Sequence, residues 1–126
     1  MEEEMTAATL HPTEHEEAVL FADWCQAERL TDPRLALIFA IPNGGHRQIG
    51  VARKMKAEGV KRGVPDYLLP VPNGEYHGLF IELKTKTGST SKEQKQWLHA
   101  LTQQGYLAVV AKGADEAIST VQKYLR

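Results

Sequence analysis

The chain has 126 residues, 42% hydrophobic and 25% charged, which suits one folded domain with a modest core and excludes a fibrous or low-complexity protein. Its net charge of −1 excludes a polybasic protein overall, yet the charges are unevenly placed. The first 17 residues hold six glutamates and no Lys or Arg, whereas Arg47 to Arg62 holds six basic residues against one Glu, a segment that can still meet a polyanion.

Residues 1–12 are acidic and lack a periodic apolar face; they are expected to form a flexible leader to one domain over 13–126. Thr13 is placed to cap a helix from Glu14 to about Arg29, with glutamates in the first turn where the helix dipole favours them. Its expected buried face is Ala18, Phe21, Ala22 and Cys25. Leu35–Ile41, LALIFAI, reads as a buried strand stopped by Pro42. Pro42–Arg47, PNGGHR, is a turn whose glycines permit close backbone approach. A helix from about Gln48 to Glu58 follows and ends at Gly59.

Asp66–Val71 is the next predicted strand, Pro72–Glu75 a hairpin-type turn, and Tyr76–Thr85 the strand that returns from it. After the loop Lys86–Thr90, Ser91 with Gln94 makes a capping-box signature for a helix that ends near Gly105. Trp97, Leu98 and Leu101 fall at helical spacing on it, and Trp97 with Leu101 is read as core. YLAVVA, Tyr106–Ala111, gives another strand, and Asp115 to Leu125 a last helix. The order α-β-α-β-β-α-β-α predicts an α/β domain with a mixed sheet covered by helices.

Charged residues inside Tyr76–Thr85 need a reason, because a strand interior is a poor place for a carboxylate. Side chains alternate across a strand, so Phe80, Glu82 and Lys84 share one face and Ile81 and Leu83 the other. Glu82 and Lys84 then stand roughly 6–7 Å apart. Asp66, heading the neighbouring strand, can reach the same face. Two carboxylates converging in a half-buried place repel each other, and a divalent cation with oxygen ligands, Mg²⁺ or Mn²⁺, relieves that conflict. Lys84 beside such an ion suits hydrolysis of a phosphodiester. The bland reading is a structural Glu82–Lys84 pair on a solvated face.

Pro65-Asp66 followed by Glu82-Leu83-Lys84 resembles the PD-(D/E)XK nuclease signature. The wider run FAIPNGGHR, KAEGVKRGVPDYLLPVP, YHGLFIELKTKTG, SKEQKQWL and QGY is similar to the VRR-NUC family of that superfamily, over about residues 13–125. The resemblance implies a restriction-endonuclease-like fold and a metal-dependent DNA endonuclease of the kind found in phage and bacterial genomes and akin to Holliday-junction resolvases. It implies selectivity for junctions, flaps or other branched DNA, as in recombination or DNA repair, and a homodimer. It implies Asp66, Glu82, Lys84, Glu14 and Gln94 as catalytic residues, and Asp66, Glu82, Glu14 and the Leu83 carbonyl as metal ligands. The family's helix-one pattern departs here, with Ala18 where Gln is usual and Glu17 where an apolar residue is usual, so Glu17 rivals Glu14. Arg47, Lys61, Arg62, Lys86 and Ser91 are the expected DNA contacts.

The alternative is a non-catalytic DNA-binding module of the same fold. An enzyme acting on a nucleotide is disfavoured, since no P-loop or dinucleotide fingerprint occurs and no nucleotide cofactor is expected. The competing reading of Gln94 is a cap partner of Ser91 and nothing more. His15, His46, His77 and His99 read as surface or packing residues. Cys25, the single cysteine, reads as a small buried apolar group with no base placed beside it. With no apolar signal core at the N-terminus and no run of about 20 apolar residues, a soluble cytoplasmic protein without membrane contact is expected.

Overall fold

The computed structural model describes residues 12–42 and 48–126; the expected flexible leader up to residue 11, and the expected turn from residue 43 on with His46 and Arg47, lie outside them. Helix α1 spans Glu14–Glu28, a 3₁₀ turn Pro33–Leu37, strand β1 Phe39–Ala40 and helix α2 Ile49–Ala57. Strand β2 spans Tyr67–Leu69, β3 Leu79–Lys84, helix α3 Lys92–Gln103, β4 Leu107–Lys112 and α4 Ala114–Tyr124. The four strands lie in the order β1-β2-β3-β4, with β1–β2 and β2–β3 antiparallel and β3–β4 parallel. The result is a mixed sheet flanked by helices.

Local chemistry explains most element starts. Thr13 accepts the Glu16 N–H at 3.1 Å while Glu16 accepts the Thr13 N–H at 3.0 Å, a complete capping box at the head of α1. Ser91 and Gln94 repeat the arrangement at α3, with 3.2 and 2.8 Å bonds. Gly113 enters α4 at φ +92°, a conformation that suits a residue without Cβ.

The core lies on one face of the sheet. Leu79, Ile81 and Leu83 of β3 pack there with Phe21 and Cys25 of α1 and Ala117 and Val121 of α4. Phe21 meets Tyr67 edge-on at 5.0 Å between centroids. The Tyr124 hydroxyl donates to the Val71 carbonyl at 2.6 Å, satisfying a buried polar end. Burial raises the Cys25 thiol to about 11, which makes it a poor nucleophile. Helix α3 covers the other face.

Several predicted boundaries shift. Leu35–Ile41 is not a buried strand: Asp32 accepts the Arg34 N–H at 3.1 Å and Pro33 starts a 3₁₀ turn, leaving only Phe39–Ala40 extended. Leu37 and Phe39 are 53% and 49% exposed. An Asp-Pro helix start outcompeted an apolar run whose burial was assumed. Strand β3 begins at Leu79 rather than Tyr76, because the Asn73 carboxamide accepts the N–H groups of Glu75 and Tyr76 at 3.0 and 2.9 Å and widens the turn. Ala22 is exposed, and Trp97 and Leu101 are only half-buried; α3 has no fully buried residue.

Candidate active site

β3 ends where the sheet opens, and its last residues form the floor of a cavity of about 700 Å³. Glu82 is 1% exposed, on the α3 face of the strand. Its Oε2 accepts the Gln94 Nε2–H at 3.0 Å and lies 3.5 Å from Lys84 Nζ. Its Oε1 is buried and has no hydrogen-bond partner among the described residues. That is a costly arrangement for a carboxylate, and burial first, then the Asp66 charge, pushes the Glu82 carboxyl well above the usual range.

Asp66 enters from the turn before β2. Its carbonyl accepts the Ile41 N–H at 2.7 Å, and its Oδ2 accepts the Leu83 N–H at 2.7 Å. Its carboxyl abuts that of Glu82, and burial raises it too. The register explains why proline precedes it. Tyr67 pairs with Ile81, so Leu83 falls opposite Pro65 in the continuing ladder. Proline has no N–H to give the Leu83 carbonyl. The Pro-Asp step thus ends the pairing, supplies a side chain to the Leu83 N–H, and offers that carbonyl no ladder donor.

Glu14, Lys84, Gln94, Arg62 and Ser91 join Asp66 and Leu83 in lining the cavity. Glu17 does not. It is buried 97 residues from its partner in sequence, accepting the Ala114 N–H at 3.2 Å at the head of α4. The structure therefore separates the two candidates on α1: Glu14 faces the cavity and Glu17 caps another helix. Glu17→Ala is expected to lower stability by about 1–3 kcal/mol in a denaturant titration, because it strips a buried helix end of its acceptor.

Other expected site residues lie apart from one another. Glu14 and Asp66 line the cavity while Glu82 is buried in β3, and among the described residues no three His, Cys, Asp or Glu side chains are grouped as an ion site. Repulsion between carboxylates opposes a tighter set. Lys86 lies in a separate depression beside Glu17 and Asp115, and Lys61 in another beside Trp97. Only Arg62 of the expected basic contacts among the described residues lines the cavity itself. His15, read from sequence as a bystander, lines it too, as do Ser89 and Thr90. The position of His15 next to Glu14 was the available signal.

A family model described as the VRR-NUC domain matches residues 1–115. The chain belongs to the VRR-NUC family. Among solved structures it is similar to a VRR_NUC domain protein, at 35% identity over 90% of this chain and 88% of that one, with a TM-score of 0.77. No curated protein matches the chain. Membership makes this a nuclease-type domain with a restriction-endonuclease-like fold, and the matched span includes Glu14, Asp66, Glu82, Lys84 and Gln94. Among the described residues of this VRR-NUC domain no helix is long and apolar enough to cross a membrane.

Proposed function

We propose that the domain is a metal-dependent endonuclease that hydrolyses DNA phosphodiester bonds, with branched DNA such as junctions and flaps as its preferred substrate. The observation that supports this most is the buried Glu82 carboxylate, with one oxygen unpartnered, abutting Asp66 and facing Lys84 at the edge of an open cavity. A purely structural ion pair has no reason to leave Oε1 orphaned and to crowd a second carboxylate against it.

That orphaned oxygen and the all-oxygen donor set fit a hard divalent cation, Mg²⁺ or Mn²⁺. Asp66, Glu82 and the Leu83 carbonyl would hold it, and Glu14, on the cavity wall, would complete the set only by moving in on the bound ion. When bound, such an ion polarises a phosphate oxygen and makes water more acidic. The chain's own residues do the rest. Gln94 holds Glu82 in place from the start of α3. Lys84 keeps its ammonium against the charge that grows on the phosphate as water oxygen bonds to phosphorus and the P–O ester bond breaks. Arg62 and Ser91 receive neighbouring phosphates, Lys61 and Lys86 extend the contact outward, and Arg47 is a further proposed phosphate contact.

A domain of this size offers few base contacts, so phosphate binding and DNA shape carry its selectivity. A homodimer is part of the proposal, since two copies place two sites on the symmetric strands of a four-way junction.

Purified protein incubated with plasmid, flap and four-way-junction DNA is expected to cut with Mg²⁺ or Mn²⁺ and not with EDTA. Lys84→Ala is expected to slow cutting by about a hundredfold or more while junction retardation in gels persists. Retardation without cutting in either metal would leave a binding module in place of an enzyme.

A further inference from the structure

β4 is apolar until its last residue, Lys112, and that residue sits in register with Lys84 on the neighbouring parallel strand. Register partners point to the same face, so two ammonium groups are set side by side on strands about 4.8 Å apart, an unfavourable pair unless each has an acceptor. Lys84 has Glu82. Lys112 makes no ion pair among the described residues; its Nζ donates instead to the carbonyl of Gly88.

Gly88 lies in the loop between β3 and α3, and both ends of the tie are anchored. The Gly88 N–H donates to the Thr85 carbonyl at 3.1 Å, and the Gly113 N–H donates to the Lys84 carbonyl at 2.7 Å, fixing the backbone next to Lys112. The residues after Gly88 are Ser89, Thr90 and Ser91, which form one wall of the cavity. Ser91 then gives its N–H to Gln94 Oε1 at 2.8 Å, and the other end of the same carboxamide gives Nε2–H to Glu82 at 3.0 Å. The Gln94 side chain therefore cannot follow a displaced Ser91 and keep its bond to Glu82.

We infer that Lys112 is a positioning residue for the nuclease site: by tying the Gly88 carbonyl it holds the Ser89–Ser91 wall and, through the Ser91–Gln94 cap, the orientation of Glu82. This rests on the nuclease reading for its effect on cutting, but not for its effect on the loop. Lys112 is not among the residues that line the cavity, and its Nζ is taken up by the Gly88 carbonyl, so its loss is expected to act on turnover more than on DNA affinity.

The test pairs two readouts on Lys112→Met, Lys112→Gln and Lys112→Arg. Amide hydrogen exchange of residues 86–91 is expected to quicken about tenfold in the Met and Gln variants, the size of one charge-assisted hydrogen bond, and to return to the wild-type rate in the Arg variant. Cutting of the best substrate is expected to lose about tenfold in kcat with KM little changed, again with rescue by Arg. Wild-type loop exchange in the Met and Gln variants overturns the inference, whether or not the enzyme cuts. Quickened exchange with unaltered kcat in a cutting enzyme overturns the positioning role. Wild-type protein that cuts nothing overturns the nuclease reading alone, and the exchange rates still decide the loop tie. Should Met prevent folding, Gln and Arg carry the comparison.

Discussion

Glu82→Gln is expected to abolish DNA cutting and, at the same time, to make the metal-free protein more stable. Gln is close to isosteric and keeps an acceptor for the Gln94 amide, but it removes the charge proposed to grip a cation; a loss of about a thousandfold or more in cutting follows from removing a ligand at the reacting centre. The gain in stability has the opposite origin. Burial and the neighbouring Asp66 charge raise the folded Glu82 carboxyl far above its unfolded range of about 4.3. Folded protein therefore holds a proton that the unfolded chain has released, and folding stability falls as pH rises from that range towards the raised value. Glutamine has no such proton to lose. At pH 8 the variant should exceed the metal-free wild type by roughly 1–3 kcal/mol, or several degrees in Tm. Its stability should also vary less between pH 5 and 8. Thermal melts in EDTA across that range, repeated with Mn²⁺, measure all of this, with Mn²⁺ stabilising the wild type only. A variant that melts lower than wild type at pH 8, with the same pH slope, would mean that Glu82 is a satisfied structural carboxylate.

The residues that could be read from sequence are those whose chemistry is local. Glu82 and Lys84 share a face because a strand alternates, and the Ser91–Gln94 cap follows from the side-chain types three apart. Asp66 was legible for the same reason, at the head of the strand that pairs back on β3. What escaped depends on partners distant in sequence. Glu17 looks like one more acid in the first turn of α1; only the folded chain brings it to Ala114, away from the cavity that Glu14 lines. Lys112 looks like the charged end of an apolar strand until the parallel pairing sets it beside Lys84 and the Gly88 loop. Leu35–Ile41 failed for a different reason. Its apolar character promised burial, while Asp32-Pro33 carried a stronger local instruction to turn.

Gly63→Ala is expected to be among the most damaging small substitutions in the chain. Gly63 is buried with φ +89°, and a Cβ there would lie 2.8 Å from Glu93 Cβ and 2.9 Å from the Glu93 carbonyl carbon. Those atoms belong to the first turn of α3, so neither can rotate out of the way. Strain at positive φ costs about 1–2 kcal/mol, and forced separation of packed backbone adds about 1–3 more. Gly74 supplies the control: its φ is +92°, but nothing lies within 4 Å of its Cβ position, so Gly74→Ala should cost only the conformational part. The comparison also bears on the site. Gly63 stands three residues before Asp66, and Glu93 one before Gln94, so the tight contact sets the distance between the turn that carries Asp66 and the helix start that steadies Glu82. Any shift that relieves the clash must move one relative to the other. Denaturant titration should therefore place Gly63→Ala about 1–3 kcal/mol below Gly74→Ala, and cutting assayed where both are fully folded should fall in the Gly63 variant alone. Equal midpoints for the two would show that the approach of α3 to this turn does not constrain the site.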